Sequence, residues 1–178
     1  MKQEKNKVQN NKNHKLGFTL LELLVVVLII GILAAIALPY YDMAVEKGKA
    51  SQVLTFIGSL YESAQVYQLD TGNWPSDIEY LDIEIPEEFK GSGEWLVWAD
   101  GNGIGVNRIK GKYTGTGFVK YNKHNYSIIP KGPNLCVEIK KGGNYTFDGK
   151  QGSYCNKIFH GKAVYIGESN WTNIWLLQ

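Results

Sequence analysis

Histidine, cysteine, methionine and proline are all scarce in this 178-residue chain, at three, two, two and five copies. His14, His124 and His160 stand far apart, and two cysteines with no paired C-x-x-C leave any zinc site short of ligands. No G-x-S-x-G occurs, and no phosphate-binding glycine loop ends in Lys-Ser or Lys-Thr. The chain therefore lacks the constellations from which nucleophilic, metal or nucleotide chemistry is built, and we expect no enzymatic activity, no cofactor and no metal. An excess of one charge is also missing, since 19 Lys plus Arg stand against 17 Asp plus Glu. The small imbalance sits at the start, where residues 1–17 carry five lysines and one glutamate and leave 14 bases and 16 acids for the rest. A near-neutral body argues against a surface tuned throughout for nucleic acid; a basic leader ahead of an apolar run argues for the membrane.

Residues 1–17 are Asn, Gln and Lys with almost nothing to bury, so the reading is a disordered, cytoplasmic leader. In residues 18–38 only Thr19, Glu22 and Gly31 are not apolar. As a helix this run measures roughly 31 Å, enough to cross a bilayer core of about 30 Å. A cleaved secretory signal is the rival, because Ala35-Ile36-Ala37 has the form of a signal peptidase site. The run is long for that purpose, and it holds Glu22, a carboxylate that costs about 2.5 to 3.5 kcal/mol at a membrane centre and less near an end.

The stretch K-L-G-F-T-L-L-E-L-L-V-V-V-L-I-I-G-I-L-A-A-I-A-L-P-Y-Y, residues 15–41, resembles the N-terminal signature of type IV pilins and of the related pseudopilins of type II secretion. The resemblance covers roughly the first 55 to 60 residues. It implies that a prepilin peptidase cuts between Gly17 and Phe18 and methylates the new amino group, and that Glu22 sets subunit register. Physically, cleavage is a charge switch. Before it, nothing positive lies near Glu22 in lipid; after it, the Phe18 ammonium of the same or a neighbouring chain relieves a carboxylate that is costly unpaired, in one axial register only. Gly31 and Pro39 are soft points, Pro39 by removing the hydrogen bond to the Ala35 carbonyl. The family often melts this stretch in assembled filaments; a kink at the membrane exit is the simpler alternative.

Beyond Pro39, Met43, Ala50, Val53, Leu54, Ile57, Leu60, Tyr61, Ala64 and Tyr67 recur at helical steps, with Glu46, Lys47, Lys49, Gln52, Ser59 and Glu62 between them. The period predicts an amphipathic helix over residues 39–70, ended by Gly72 and Pro75. Residues 77–88 hold six acids and no base, among Ile78, Leu81, Ile83 and Ile85, and read as a loop or short strand packed on its apolar side. They lack the regular spacing of a calcium loop. Short Val, Ile, Tyr, Phe and Trp stretches at 95–98, 104–109, 116–121, 126–129, 135–139 and 163–166 alternate with Gly, Asn and Pro, which predicts antiparallel strands. The expected fold is α+β and pilin-like: a long N-terminal helix, membrane-spanning in its first half, packed on a small antiparallel sheet head over residues 71–178.

Cys136 and Cys155 both fall in the part that would be exported, where a disulfide fits the compartment, and the resemblance implies a disulfide loop over 136–155. Residues 108–162 contain eleven bases, Arg108, Lys140 and Lys141 among them, and two acids. DNA binding is one reading of that stretch, lysines guarding turns and strand edges another, and contact with the acidic 77–88 segment of a second copy a third. The resemblance as a whole implies a filament subunit. It enters the inner membrane with its N-terminus cytoplasmic, meets the prepilin peptidase and an inner-membrane assembly platform, and polymerises with itself or with minor pilins into a surface pilus for adhesion, motility or DNA uptake. The alternatives are a periplasmic type II secretion pseudopilin, a DNA-binding minor pilin, and a membrane-anchored binding module that forms no filament.

Overall fold

The structure, a computed structural model, describes residues 18–122, 132–140, 145–160, 162–168 and 172–178. The leader with Gly17, the expected strand at 126–129, and Lys123, Lys131 and Lys141 lie outside the described residues. A single helix, α1, runs over Leu20–Thr71 without a break at Gly31 or Pro39. Contacts divide the chain into two units, the first ending at Tyr41 and the second running over residues 42–178.

In the first unit the helix is apolar on every side and the described large side chains are exposed, from Leu20 to Tyr41. In the second unit the apolar residues form one stripe. Ala50, Val53, Ile57, Leu60, Tyr61 and Ala64, at steps of three and four with one adjacent pair, are its buried positions. Leu54 and Tyr67 flank the same core, half-buried. The helix ends where Gly72 takes φ +76° and its N–H reaches the Gln68 carbonyl at 2.9 Å, a left-handed stop that a side chain would strain. Trp74 then folds back, its ring centroid 5.2 Å from that of Tyr61.

Residues 77–88 form no strand. They make two short 3-10 turns, Ile78–Tyr80 and Glu87–Phe89. Asp77 caps the first by accepting from the Glu79 N–H at 3.1 Å, and Pro86, which has no N–H to give to a sheet, precedes the second. The apolar side is as expected: Leu81 and Phe89 are buried, while Ile78, Ile83 and Ile85 pack against the same core.

Six strands follow: β1 Trp95–Ala99, β2 Gly103–Arg108, β3 Thr116–Tyr121, β4 Leu135–Ile139, β5 Ala163–Glu168 and β6 Thr172–Leu177. They form one antiparallel sheet in the order β1-β2-β3-β4-β6-β5. Asp100 fixes the first hairpin, its Oδ1 accepting from the N–H groups of Asn102 and Gly103, both at 3.0 Å. Trp98 lies opposite Gly105 in the register, and a β-carbon at 105 would come within 2.5 Å of the indole; only glycine admits that ring over the sheet.

The last strand differs from expectation. Residues after Ile166 carry no regular alternation, yet β6 pairs with β4 on one side and β5 on the other. Its Asn173, Ile174 and Trp175 are consecutive and all buried, because both faces are covered there. Trp175 belongs to the core beneath α1, while Ile174 joins Val119, Leu135 and Val137 on the opposite face. That opposite face is therefore drier than a half-wet sheet, with Trp98, Tyr121, Ile166 and Leu176 packed over it. The fold is α+β, a long N-terminal helix on a six-stranded antiparallel sheet.

Candidate functional site

The N-terminal end of α1 carries the residues singled out for processing and assembly. Phe18 is three-quarters exposed, and the helix begins two residues later. Glu22 folds back on the helix start. Its Oε2 accepts from the Thr19 N–H at 2.8 Å and from Thr19 Oγ1 at 2.7 Å, and the Glu22 N–H donates to Thr19 Oγ1 at 3.2 Å. This reciprocal arrangement is a capping box, in which a Thr and a Glu three residues on satisfy donors that the first turn leaves without partners. The carboxylate is thereby held within one residue of Phe18. Gly31 has nothing within 4 Å of the position a β-carbon would take, so no contact within the chain demands a glycine there. Pro39 lies inside α1.

A second set of polar groups ties α1 to the sheet within residues 42–178. Arg108, at the end of β2, is 1% exposed and was counted among surface bases from sequence; here it is a core residue. Its guanidinium forks onto Glu46 of α1, Nη1 to Oε2 at 2.6 Å and Nη2 to Oε1 at 3.2 Å, and reaches Glu94 at 3.0 Å. Lys49, one helical turn beyond Glu46, holds the other Glu94 oxygen at 2.8 Å. The Arg108 plane also lies 5.1 Å from the Trp95 ring and 5.6 Å from that of Tyr113. Glu46 and Lys49, which the period places on the polar side of the helix, are thus partners of a buried charge.

Burial opposes ionisation at both ends of this network and is outweighed at both. It alone would raise the Glu94 carboxyl, but the hydrogen bonds and charges of Lys49 and Arg108 hold it below its ordinary value. It alone would lower the Arg108 guanidinium, but Glu46 and Glu94 keep it above its usual range.

Cys136 of β4 and Cys155, which opens the five-residue helix α2, Cys155–Phe159, are joined by a disulfide with a Cα separation of 5.8 Å. Both sulfur-bearing residues are fully buried, as is Tyr154. The segment they enclose is not simply a surface loop: Phe147 packs on the core, and Glu138 of β4, 1% exposed, reaches across it. The Glu138 carboxylate accepts from the N–H groups of Gly152 at 2.8 Å, Tyr154 at 3.0 Å and Cys155 at 3.1 Å. A buried carboxylate is tolerated when its oxygens are saturated in this way, and here it fixes the backbone that presents Cys155 to Cys136.

Described bases of the 108–162 stretch lie in different settings. Arg108 is internal, Lys140 pairs with Glu168 at 2.5 Å, and Lys120 lies 5.0 Å from the Tyr61 ring. Among the described residues no three His, Cys, Asp or Glu side chains converge in a metal-binding group.

A family model described as the prokaryotic N-terminal methylation motif matches residues 12–38. Fimbrial protein EcpC of Eikenella corrodens is 46% identical over 61 residues, 34% of this chain and 40% of its own length. Type IV major pilin protein PilE of Neisseria gonorrhoeae is 33% identical over 104 residues, 54% of this chain and 62% of its own. Type IV major fimbrial protein FimA of Dichelobacter nodosus is 42% identical over 59 residues, 33% and 38% of the two lengths. Each of these matches spans less than two thirds of the relative. The methylation motif opens the long apolar helix, and over the matched part of its length the chain is similar to type IV pilins and fimbrial proteins.

Proposed function

We propose that the chain is a structural subunit of a type IV pilus. It enters the inner membrane as a precursor with residues 1–17 in the cytoplasm, is cut by a prepilin peptidase between Gly17 and Phe18, is N-methylated, and is assembled through α1 into a helical polymer. The observation that carries this reading is the first half of α1, apolar on every side, exposed at every described large side chain, and interrupted by one carboxylate at Glu22. Such a surface is stable only against lipid or against other copies of itself, and moving from one to the other keeps it out of water at every stage. The role is mechanical rather than catalytic.

Glu22 gives the transfer its direction. Among the described residues its carboxylate bonds to Thr19; after cleavage the Phe18 ammonium, of this chain or of a neighbour, is the favourable partner. Replacing Glu22 with Gln leaves the capping geometry largely in place and removes the charge. Electron microscopy of the sheared extracellular fraction of a Glu22→Gln strain is expected to show few or no filaments, with processed subunit held in the membrane. Normal filaments with unchanged subunit spacing would remove Glu22 from the mechanism. Processed wild-type subunit found in membranes and never in sheared material would instead favour a periplasmic pseudopilus.

A further inference from the structure

On the head, a pocket of about 310 Å³ is lined by Lys47 and Ser51 of α1 and by Ile158, Phe159, His160 and Lys162. Its rim is polar and exposed, at Lys47, Ser51, His160 and Lys162; its floor is apolar, with Ile158 buried and Phe159 half-buried. His160 closes α2 at φ 42°, and its Nε2 stands 3.3 Å from Met43 Sδ, which anchors the ring at the pocket's edge. Among the described residues neither Lys47 nor Lys162 has an acidic partner. Two uncompensated ammonium groups around an aliphatic and aromatic floor suit an occupant that presents carboxylates next to aliphatic side chains.

The same chain carries such a segment. Asp77, Glu79, Asp82, Glu84, Glu87 and Glu88 are all exposed, and among the described residues Glu87 alone of the six is ion-paired, with Lys90 at 2.6 Å. Asp82 and Glu84 alternate with half-buried Ile83 and Ile85. Tyr80 and Asp82 lie beside the last turns of α1, where Tyr80 stacks on Tyr67 with centroids 5.8 Å apart, while the far end of the segment runs back along the helix, Phe89 stacking on Phe56 and Glu88 lying near Lys49 and Gln52. The pocket lies beside Lys47, twenty residues before Tyr67 on that helix and so about 30 Å from Asp82 along its axis. A molecule cannot seat its own Asp82 in its own pocket across that distance, but a second copy shifted along the helix direction can supply it.

We propose that the pocket formed by Lys47, Ser51, His160 and Lys162 receives Asp82 and Glu84, from the acidic 77–88 segment, of a second copy displaced by about 30 Å along α1. The contact joins two different patches, so it does not close into a dimer; repeated, it propagates as an open helix. The inference rests on the filament reading and adds to it a head-to-head contact made by charge, outside the apolar helix core.

The test uses the full chain in its own membrane. Lys47→Glu with Lys162→Glu, and separately Asp82→Lys with Glu84→Lys, are each expected to lower the yield of sheared filaments about tenfold, and the four changes together to restore it. Lys162→Cys on one tagged copy and Asp82→Cys on another are expected to cross-link on oxidation of wild-type-like filaments. Filaments indifferent to both reversals, or a quadruple variant that stays defective, would overturn the pocket assignment while the filament reading stands; so would filaments with no 162–82 cross-link. If the unaltered chain forms no filament, the filament reading fails and the contact with it.

Discussion

The two halves of α1 are parts of one helix and come to opposite ends. Residues 20–41 are Leu, Ile, Val and Ala on all sides, and Leu20, Ile30 and Leu38 are 87%, 58% and 62% exposed. From Asp42 on, Ala50, Val53, Ile57, Leu60 and Ala64 are at most 1% exposed. Composition and period both separate the two: residues 20–41 carry one charged residue, Glu22, whereas residues 42–71 carry six and confine their buried apolar positions to one stripe. A stripe of apolar positions every three or four residues can be covered by one sheet, whereas a helix that is apolar all round has more surface than one head can cover and must find lipid or other copies. If the chain assembles as proposed, the buried stripe of the second stretch sets head stability and the apolar surface of the first sets packing of the helix core, and changes at those positions should move one property and spare the other.

The largest effect on stability is expected in the head. Arg108→Ala strands Glu46 without its fork and should cost about 3 to 5 kcal/mol in thermal unfolding of the detergent-solubilised chain, since the partner charge is left half-buried. Removal of the disulfide by Cys136→Ser with Cys155→Ser follows, at about 3 kcal/mol for a loop of this length. Glu138→Gln should cost about 1.5 to 3 kcal/mol, because an amide oxygen replaces a carboxylate facing three N–H donors. That variant also tests whether Glu138 orders the disulfide segment, through a faster reduction of Cys136–Cys155 by added thiol. The smallest effect is on the other side of the comparison: Leu28→Ala, at a site 57% exposed, should change head unfolding by no more than about 0.5 kcal/mol while reducing filament yield. Equal effects on both readouts would erase the distinction between the halves.

The head also has a pH signature. Burial, with Asp100 nearby, pushes the Tyr121 phenol up to about 12, and burial raises that of Tyr154 as well. A phenol with a folded pKa above its unfolded value of about 10 binds its proton more tightly in the folded state. Head stability should therefore hold to about pH 10 and then fall as pH rises towards about 12, and Tyr121→Phe should flatten part of that decline. At the acid end Glu94 is held low, so its contribution is present above its ordinary carboxylate pKa and is lost as pH falls through the folded value.

Much of this was legible in the residues, and what was not has a physical reason. The stripe on α1 and its stop at Gly72 could be read because period and left-handed glycine are local properties. Strands β1 to β4 could be read for the same reason, from short β-branched and aromatic runs between turns. Strand β6 escaped because it is covered on both faces, so Asn173, Ile174 and Trp175 carry no alternation. At five residues α2 is too short for a period. Arg108 and Glu138 look like surface charges in sequence, and only the fold shows that Glu46 lies 62 positions before Arg108 and that three N–H groups converge on Glu138. The capping box at Thr19 and Glu22 did have a signal, the T-x-x-E spacing ahead of an apolar run, which is easily overlooked where a membrane reading of the same carboxylate is already at hand.

The measurement closest to the central claim is the intact mass and N-terminal sequence of the protein, taken separately from membranes and from sheared extracellular material. The account predicts a chain that starts at N-methylated Phe18 in the sheared fraction. A terminus at Leu38, the product of a secretory cleavage, or an uncut Met1 there would contradict it.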